Sequence, residues 1–340
     1  MKKHNVFLMV VISTTISLPI LSMEKLNQPT FTDSEIVSDV VIPNGKRLRA
    51  RLMQKIAAAI DGNIDKAPDL DPDQIAMPEL LSASPQSLIK QLRSGFQDQR
   101  DEYLQENFAI TKEMVQGNIP AAATFLAANK ENIDQYSPAT TPVKKAVKQV
   151  VSKFQGPDLN VRKIKAGTEA HLRNMGSIAY VNGDNTMVYI DEELEHVAPT
   201  PKSKEQVFAH EDTHRRHGDV LTNVAIELTF RDLGTEYSPG TRGRVTRFQE
   251  VFADLEPASI SPASAAASLR VAQRMEALSD RKDMPGEHHA PVQRTELAAV
   301  MKDLHKEHQQ ERARKRKDEP ALAPSKLKQR RLLDAFDEPA

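Results

Sequence analysis

Two histidines four residues apart, His210 and His214, enclose Glu211 in the stretch His210-Glu211-Asp212-Thr213-His214. Residues four apart on an α-helix share a face, so both imidazoles can meet a single metal ion. Glu211 stands beside that ion but off the ligand line, where a carboxylate can act as general base on a water next to the metal. Such a site needs a third ligand, and Glu250 is the candidate. In Glu250-Val251-Phe252-Ala253-Asp254 the two carboxylates are again four apart and on one helical face. Glu250 can bind the metal while Asp254 accepts a hydrogen bond from a ligand imidazole and fixes its tautomer. Two His and one Glu leave a fourth position for water, as catalysis requires. The chain has no cysteine, which excludes a thiolate site and any disulfide. The expected cofactor is therefore one Zn2+ per chain on His210, His214 and Glu250.

These side chains have to be positioned. Ser203 to Gln206 matches a capping box and is expected to open the helix carrying His210. Strand signals precede it: Asn160 to Lys165 alternates, and Gly176 to Val181 and Thr186 to Ile190 are rich in β-branched and aromatic residues. Asn182-Gly183-Asp184-Asn185 supplies a turn between the last two. Before the strands, Val143, Val147, Val150, Val151 and Phe154 form one apolar stripe that starts after Thr141-Pro142 and stops at Gly156-Pro157. The expected class is α+β, mainly helical, with a small antiparallel sheet beside the metal helix. Its edge is suited to binding an extended peptide by strand addition.

The rest of the chain frames this segment. Lys2, Lys3 and His4 precede an apolar run from Val6 to Leu21, which reads as a signal peptide over 1–22 with cleavage after Ser22; an uncleaved signal anchor is the alternative. Export to the periplasm or the medium is expected, with no integral membrane domain after cleavage. Residues 23–139 read as a helical accessory or pro-region. Leu48, Leu52, Met53, Ile56 and Ile60 fall at helical spacing, as do Leu88, Leu92, Phe96 and Tyr103 after Ser84-Pro85, with an acidic, Pro-containing loop between the two runs. Leu297, Val300, Met301 and Leu304 lie on one more amphipathic helix. A basic, disordered tail is expected over 309–340, with clusters at Arg312 to Lys317 and Lys326 to Arg331 that can meet anionic lipid or nucleic acid. The formal net charge of −1 gives the whole chain no such preference.

From Thr141 to Leu304 the chain resembles the gluzincin metallopeptidases that include HtpX and the CaaX prenyl protease, together with their soluble periplasmic relatives. His210 to His214 resembles the family's HExxH helix, and His217-Gly218-Asp219-Val220-Leu221-Thr222 resembles its continuation. Glu250 to Asp254 matches the ExxAD motif, and His288-His289-Ala290-Pro291-Val292-Gln293-Arg294 resembles the segment that closes the active site. The resemblance implies a zincin-like metallopeptidase domain over 140–308, with zinc on His210, His214 and Glu250 and Glu211 as base. It implies an endopeptidase acting on protein or peptide substrates in envelope protein quality control. His288 or His289 would donate to the oxyanion of the tetrahedral intermediate, with His288 the catalytic candidate and His289 and Arg294 facing substrate. His217 is expected to be structural. Asp212-Thr213 departs from the small or apolar pair usual inside the motif and is expected to face solvent. That departure keeps a second reading open, a catalytically silent zinc-binding chaperone or scaffold.

Overall fold

The computed structural model describes residues 44–62, 83–154, 159–175, 177–279 and 288–318. The expected signal peptide, most of the acidic loop after Asp61, the Gly156-Pro157 stop and the second basic cluster lie outside the described residues.

A short sequence device sets several helix starts. Ser84-Pro85, Thr200-Pro201, Ser238-Pro239 and Ser261-Pro262 each place a hydroxyl at the N-cap and proline at the first helical position, where its missing N–H costs nothing. The hydroxyls accept from the backbone N–H three residues on: Ser84 from Ser87 (3.2 Å), Thr200 from Ser203 (3.1 Å), Ser238 from Thr241 (3.2 Å) and Ser261 from Ser264 (3.1 Å). They open α2 (Pro85–Phe108), α8 (Pro201–His217), α10 (Pro239–Ser259) and α11 (Pro262–Leu278). The helix that carries His210, α8, thus begins earlier than its expected start at Ser203, because Thr200-Pro201 caps it first. Ser203 and Gln206 are buried inside its opening turns.

Helix α1 (Asn44–Asp61) and α2 pack with α10 and α12 (Pro291–Asp318) around one core. Leu52, Ile56, Leu88, Leu92, Phe252, Leu297, Val300 and Met301 are buried there, so the apolar runs expected in the N-terminal region are core. The N-terminal helices therefore share their interior with the helix that carries Glu250. Helix α12 continues through the first basic cluster to Asp318, where a disordered tail was expected to have begun at residue 309.

The second core joins α5 (Thr141–Phe154), the sheet, α7 (Asp191–Val197) and α8. Tyr189 and Phe208 meet edge to face at 5.7 Å within it. The sheet is made of β1 (Tyr136–Pro138), β2 (Val161–Ile164), β3 (Ala179–Val181) and β4 (Met187–Tyr189), in the order β1-β2-β4-β3. The class is α+β, and the sheet is mixed where an antiparallel one was expected. β3 and β4 form the expected hairpin, with Asn182 Oδ1 accepting from Thr186 N at 3.0 Å and Asn185 in the left-handed region at φ 62°. β2 and β4, however, run parallel. Helix α6 (Glu169–Arg173) and β3 lie between them in sequence and return the chain so that β4 enters beside β2 in the same direction. No helix among the described residues is long and apolar enough to cross a membrane.

Candidate metal centre

Helix α8 ends at Gly218, whose φ of +65° needs a residue without a Cβ penalty. The reversal starts α9 (Asp219–Asp232) at once and turns Asp219 back onto the last turn of α8. Asp219 Oδ2 lies 2.9 Å from His214 Nδ1. One turn earlier on α8, His210 Nδ1 lies 2.8 Å from Asp254 Oδ1. Each carboxylate accepts, so each imidazole carries its proton on Nδ1 and directs the lone pair of Nε2 inward.

Those lone pairs converge. The two Nε2 atoms are 3.2 Å apart, and Glu250 brings Oε2 to 3.1 Å from His210 Nε2 and Oε1 to 3.4 Å from His214 Nε2. Glu250 is buried, and the groups nearest its Oε2 are imidazole nitrogens. Two imidazole acceptors and a carboxylate facing one point repel unless a positive charge stands between them. His210, His214 and Glu250 can hold a metal ion, with ligand atoms all within 4.8 Å of one another. Burial disfavours the His210 imidazolium, but Asp254 and Glu250 outweigh it and push its pKa up to about 9. Burial likewise opposes charge on His214, and Glu250 and Asp219 raise it well above the usual imidazole range. Glu250 is held well below the usual carboxylate range by His288, His214 and His210 despite its burial.

Glu211 lines the same cavity of about 540 Å3 and is no part of the ligand triad. Burial pushes its carboxyl up, while the imidazoles of His210 and His214 pull it down. The cavity wall also includes Ser177 to Val181, so the end strand β3 runs along it. His288, half exposed at the rim, brings Nδ1 to 2.9 Å from Glu250 Oε2. His289, completely buried, turns instead to Asp254, with Nε2 at 3.2 Å from Oδ2. Arg294 spends both Nε (2.8 Å) and Nη2 (2.6 Å) on the two oxygens of Asp254. The adjacent histidines thus divide, His288 toward the ligand carboxylate and His289 toward its neighbour, and Arg294 acts on His210 through Asp254.

The Asp212-Thr213 interior points away from the ligands. Asp212, expected in solvent, is buried and accepts from Arg215 at 2.8 and 2.9 Å and from Arg216 at 3.0 Å. Thr213 donates to the Ala209 carbonyl at 2.9 Å. His217 pairs with Glu256 at 2.8 Å and does not reach the ligand triad. Asp219, the partner of His214, is the residue of this cluster whose contact the motif alone did not reveal. Its signal was an acid directly after the glycine that ends the HExxH helix, one reversal away from His214.

No protein-family model, curated protein or solved structure matches the chain.

Proposed function

We propose that the protein is a zinc-dependent endopeptidase that hydrolyses peptide bonds of protein substrates. The observation that carries this reading is the convergence of two Nδ1-anchored imidazoles and the buried carboxylate of Glu250 on one point, inside a cavity bounded by a strand edge. His210, His214 and Glu250 would hold the ion, and the donor set of two imidazoles and one carboxylate suits Zn2+ in an open catalytic site. When bound, Zn2+ lowers the pKa of water and polarises a carbonyl.

The remaining steps belong to the chain's own residues. An extended substrate adds to the edge of β3 and presents its scissile carbonyl to the cavity. Glu211 takes the proton from the attacking water as the new C–O bond forms, then returns it to the amine nitrogen as the C–N bond breaks. His288 is the rim donor nearest the ligands and would face the developing oxyanion. Asp254 and Asp219 keep both imidazoles in the ligating tautomer. Asp212-Thr213, which motivated the silent-scaffold reading, takes no atom from the ligand face. Export by the N-terminal segment would place this activity in the periplasm or the medium.

The test is elemental analysis together with cleavage of casein, with and without chelator, for wild type and Glu211→Gln. One zinc per chain in both, with cleavage at least 100-fold weaker in the variant, is the expected result. Zinc without cleavage in wild type favours the scaffold reading, and cleavage of equal rate in the variant removes Glu211 as the base.

A further inference from the structure

Arg93, on the N-terminal helix α2, is buried against the back of the site, far in sequence from any ligand. Its Nη2 lies 3.4 Å from Asp219 Oδ1, while the other oxygen of Asp219 holds His214. Its Nη1 lies 2.9 Å from Glu256 Oε1, and Glu256 also meets His217 and Arg216 of α8. A buried carboxylate is costly without a cationic partner, and Arg93 is the guanidinium that pairs with Asp219. We propose that Arg93 is a positioning residue for the metal centre, orienting His214 through Asp219, so that the N-terminal region is a supporting wall of the site. This rests on the metal reading of His210, His214 and Glu250.

The mechanism is geometric. Asp219 receives Nδ1–H of His214 best while its carboxylate is held in place, and Nη2 of Arg93 holds the far oxygen from α2 while Nη1 is anchored on Glu256. Loss of that contact frees Asp219 to rotate, and the inward aim of His214 Nε2 loosens. A segment that supplied this contact and was then removed would take the aim of a ligand with it. The N-terminal helices are therefore expected to remain with the working protein.

The experiment measures Co2+ affinity of the full chain by chelator competition, and the visible absorption of bound Co2+, which reports ligand geometry. The variants are Arg93→Met, Arg93→Lys, Asp219→Asn, the double variant Arg93→Met with Asp219→Asn, and Lys55→Met. Lys55 joins α1 to Glu296 of α12 at 2.6 Å and touches no ligand, so it controls for weakened docking of the N-terminal region. Arg93→Met should weaken Co2+ binding about tenfold and shift the spectrum, at the lower end of the 10–100-fold typical for outer partners of metal ligands. Arg93→Lys should fall between it and wild type. Lys55→Met should match wild type, and the double variant should be no weaker than Asp219→Asn alone. Wild type that binds no Co2+ overturns the metal reading and this proposal with it. Wild type that binds while Arg93→Met matches it overturns the role of Arg93 alone, as do additive losses in the double variant. If Arg93→Met does not fold, an Arg93→Lys protein with unchanged affinity and spectrum is enough to overturn it.

Discussion

His210 and His214 each donate Nδ1–H to a carboxylate, and each carboxylate is gripped by an arginine, but the two arms divide their arginines differently. On the His210 arm Arg294 gives two donors, at 2.6 and 2.8 Å, to the two oxygens of Asp254. On the His214 arm Arg93 gives one longer contact, 3.4 Å, to Asp219 and its shorter one, 2.9 Å, to Glu256. The first arm is self-contained, built from α10 and the start of α12. The second is shared, and ties a ligand to the packing of α2, α8 and α10. The same chemistry thus fixes one imidazole locally and couples the other to the body of the protein.

The largest expected difference comes from removing each carboxylate's charge. Asp254→Asn leaves the buried Arg294 without its partner and should cost about 3 kcal/mol or more of stability, the range for breaking a buried pair. It should also weaken metal binding about 100-fold, the upper end for such partners. Asp219→Asn leaves Arg93 still paired with Glu256 and should weaken binding by about tenfold. Chelator competition and urea unfolding measure both, and equal losses would break the distinction between a dedicated and a shared arm.

A smaller effect is expected from pH on the shared arm. Burial works against charge on Glu256, but His217, Arg93 and Arg216 hold its carboxyl below the usual range near 4.5. A carboxylate whose folded value is depressed contributes stability that is fully present above the unfolded value and is lost as pH falls through the folded one. Wild type should therefore exceed Glu256→Gln in stability above about pH 5, with the gap closing as pH falls below 4. Urea midpoints across that range test it, and a gap that stays constant would remove Glu256 as an ionised hub.

The candidate ligand face was legible in sequence because helical spacing is a local rule: the HExxH motif singles out His210 and His214, and i, i+4 spacing then makes Glu250 and Asp254 candidates on a second helix. The stripes of α1, α2 and α5 were legible for the same reason. What the sequence hid was non-local. Nothing in Arg93 distinguishes it from other arginines of an amphipathic helix until α2 packs on α10. The parallel pairing of β2 with β4 depends on where α6 returns the chain, which neither strand encodes. The start of α8 differs from the expected one for a local reason, since Ser203 is itself a good cap and Thr200-Pro201 is a better one. Asp212 illustrates the limit of the motif: helical spacing puts it off the ligand face, but only the fold reveals that Arg215 and Arg216 bury it.

That last contrast gives the smallest expected effect on the site. Asp212 accepts three N–H groups from arginines on its own helix, on the face opposite the ligands, and none of these arginines reaches His210, His214 or Glu250. Asp212→Asn should destabilise the protein by about 1–3 kcal/mol, the cost of stripping charge from a buried hydrogen-bonded acceptor. Metal affinity and any cleavage rate, measured well below the melting temperature, should change less than twofold. The two faces of α8 would then be separable, one setting the chemistry and the other holding the helix. A tenfold loss of metal affinity in Asp212→Asn would instead mean that the helix transmits strain from its back face to its ligands, and the division of labour between the arms would have to include a third, running through Asp212.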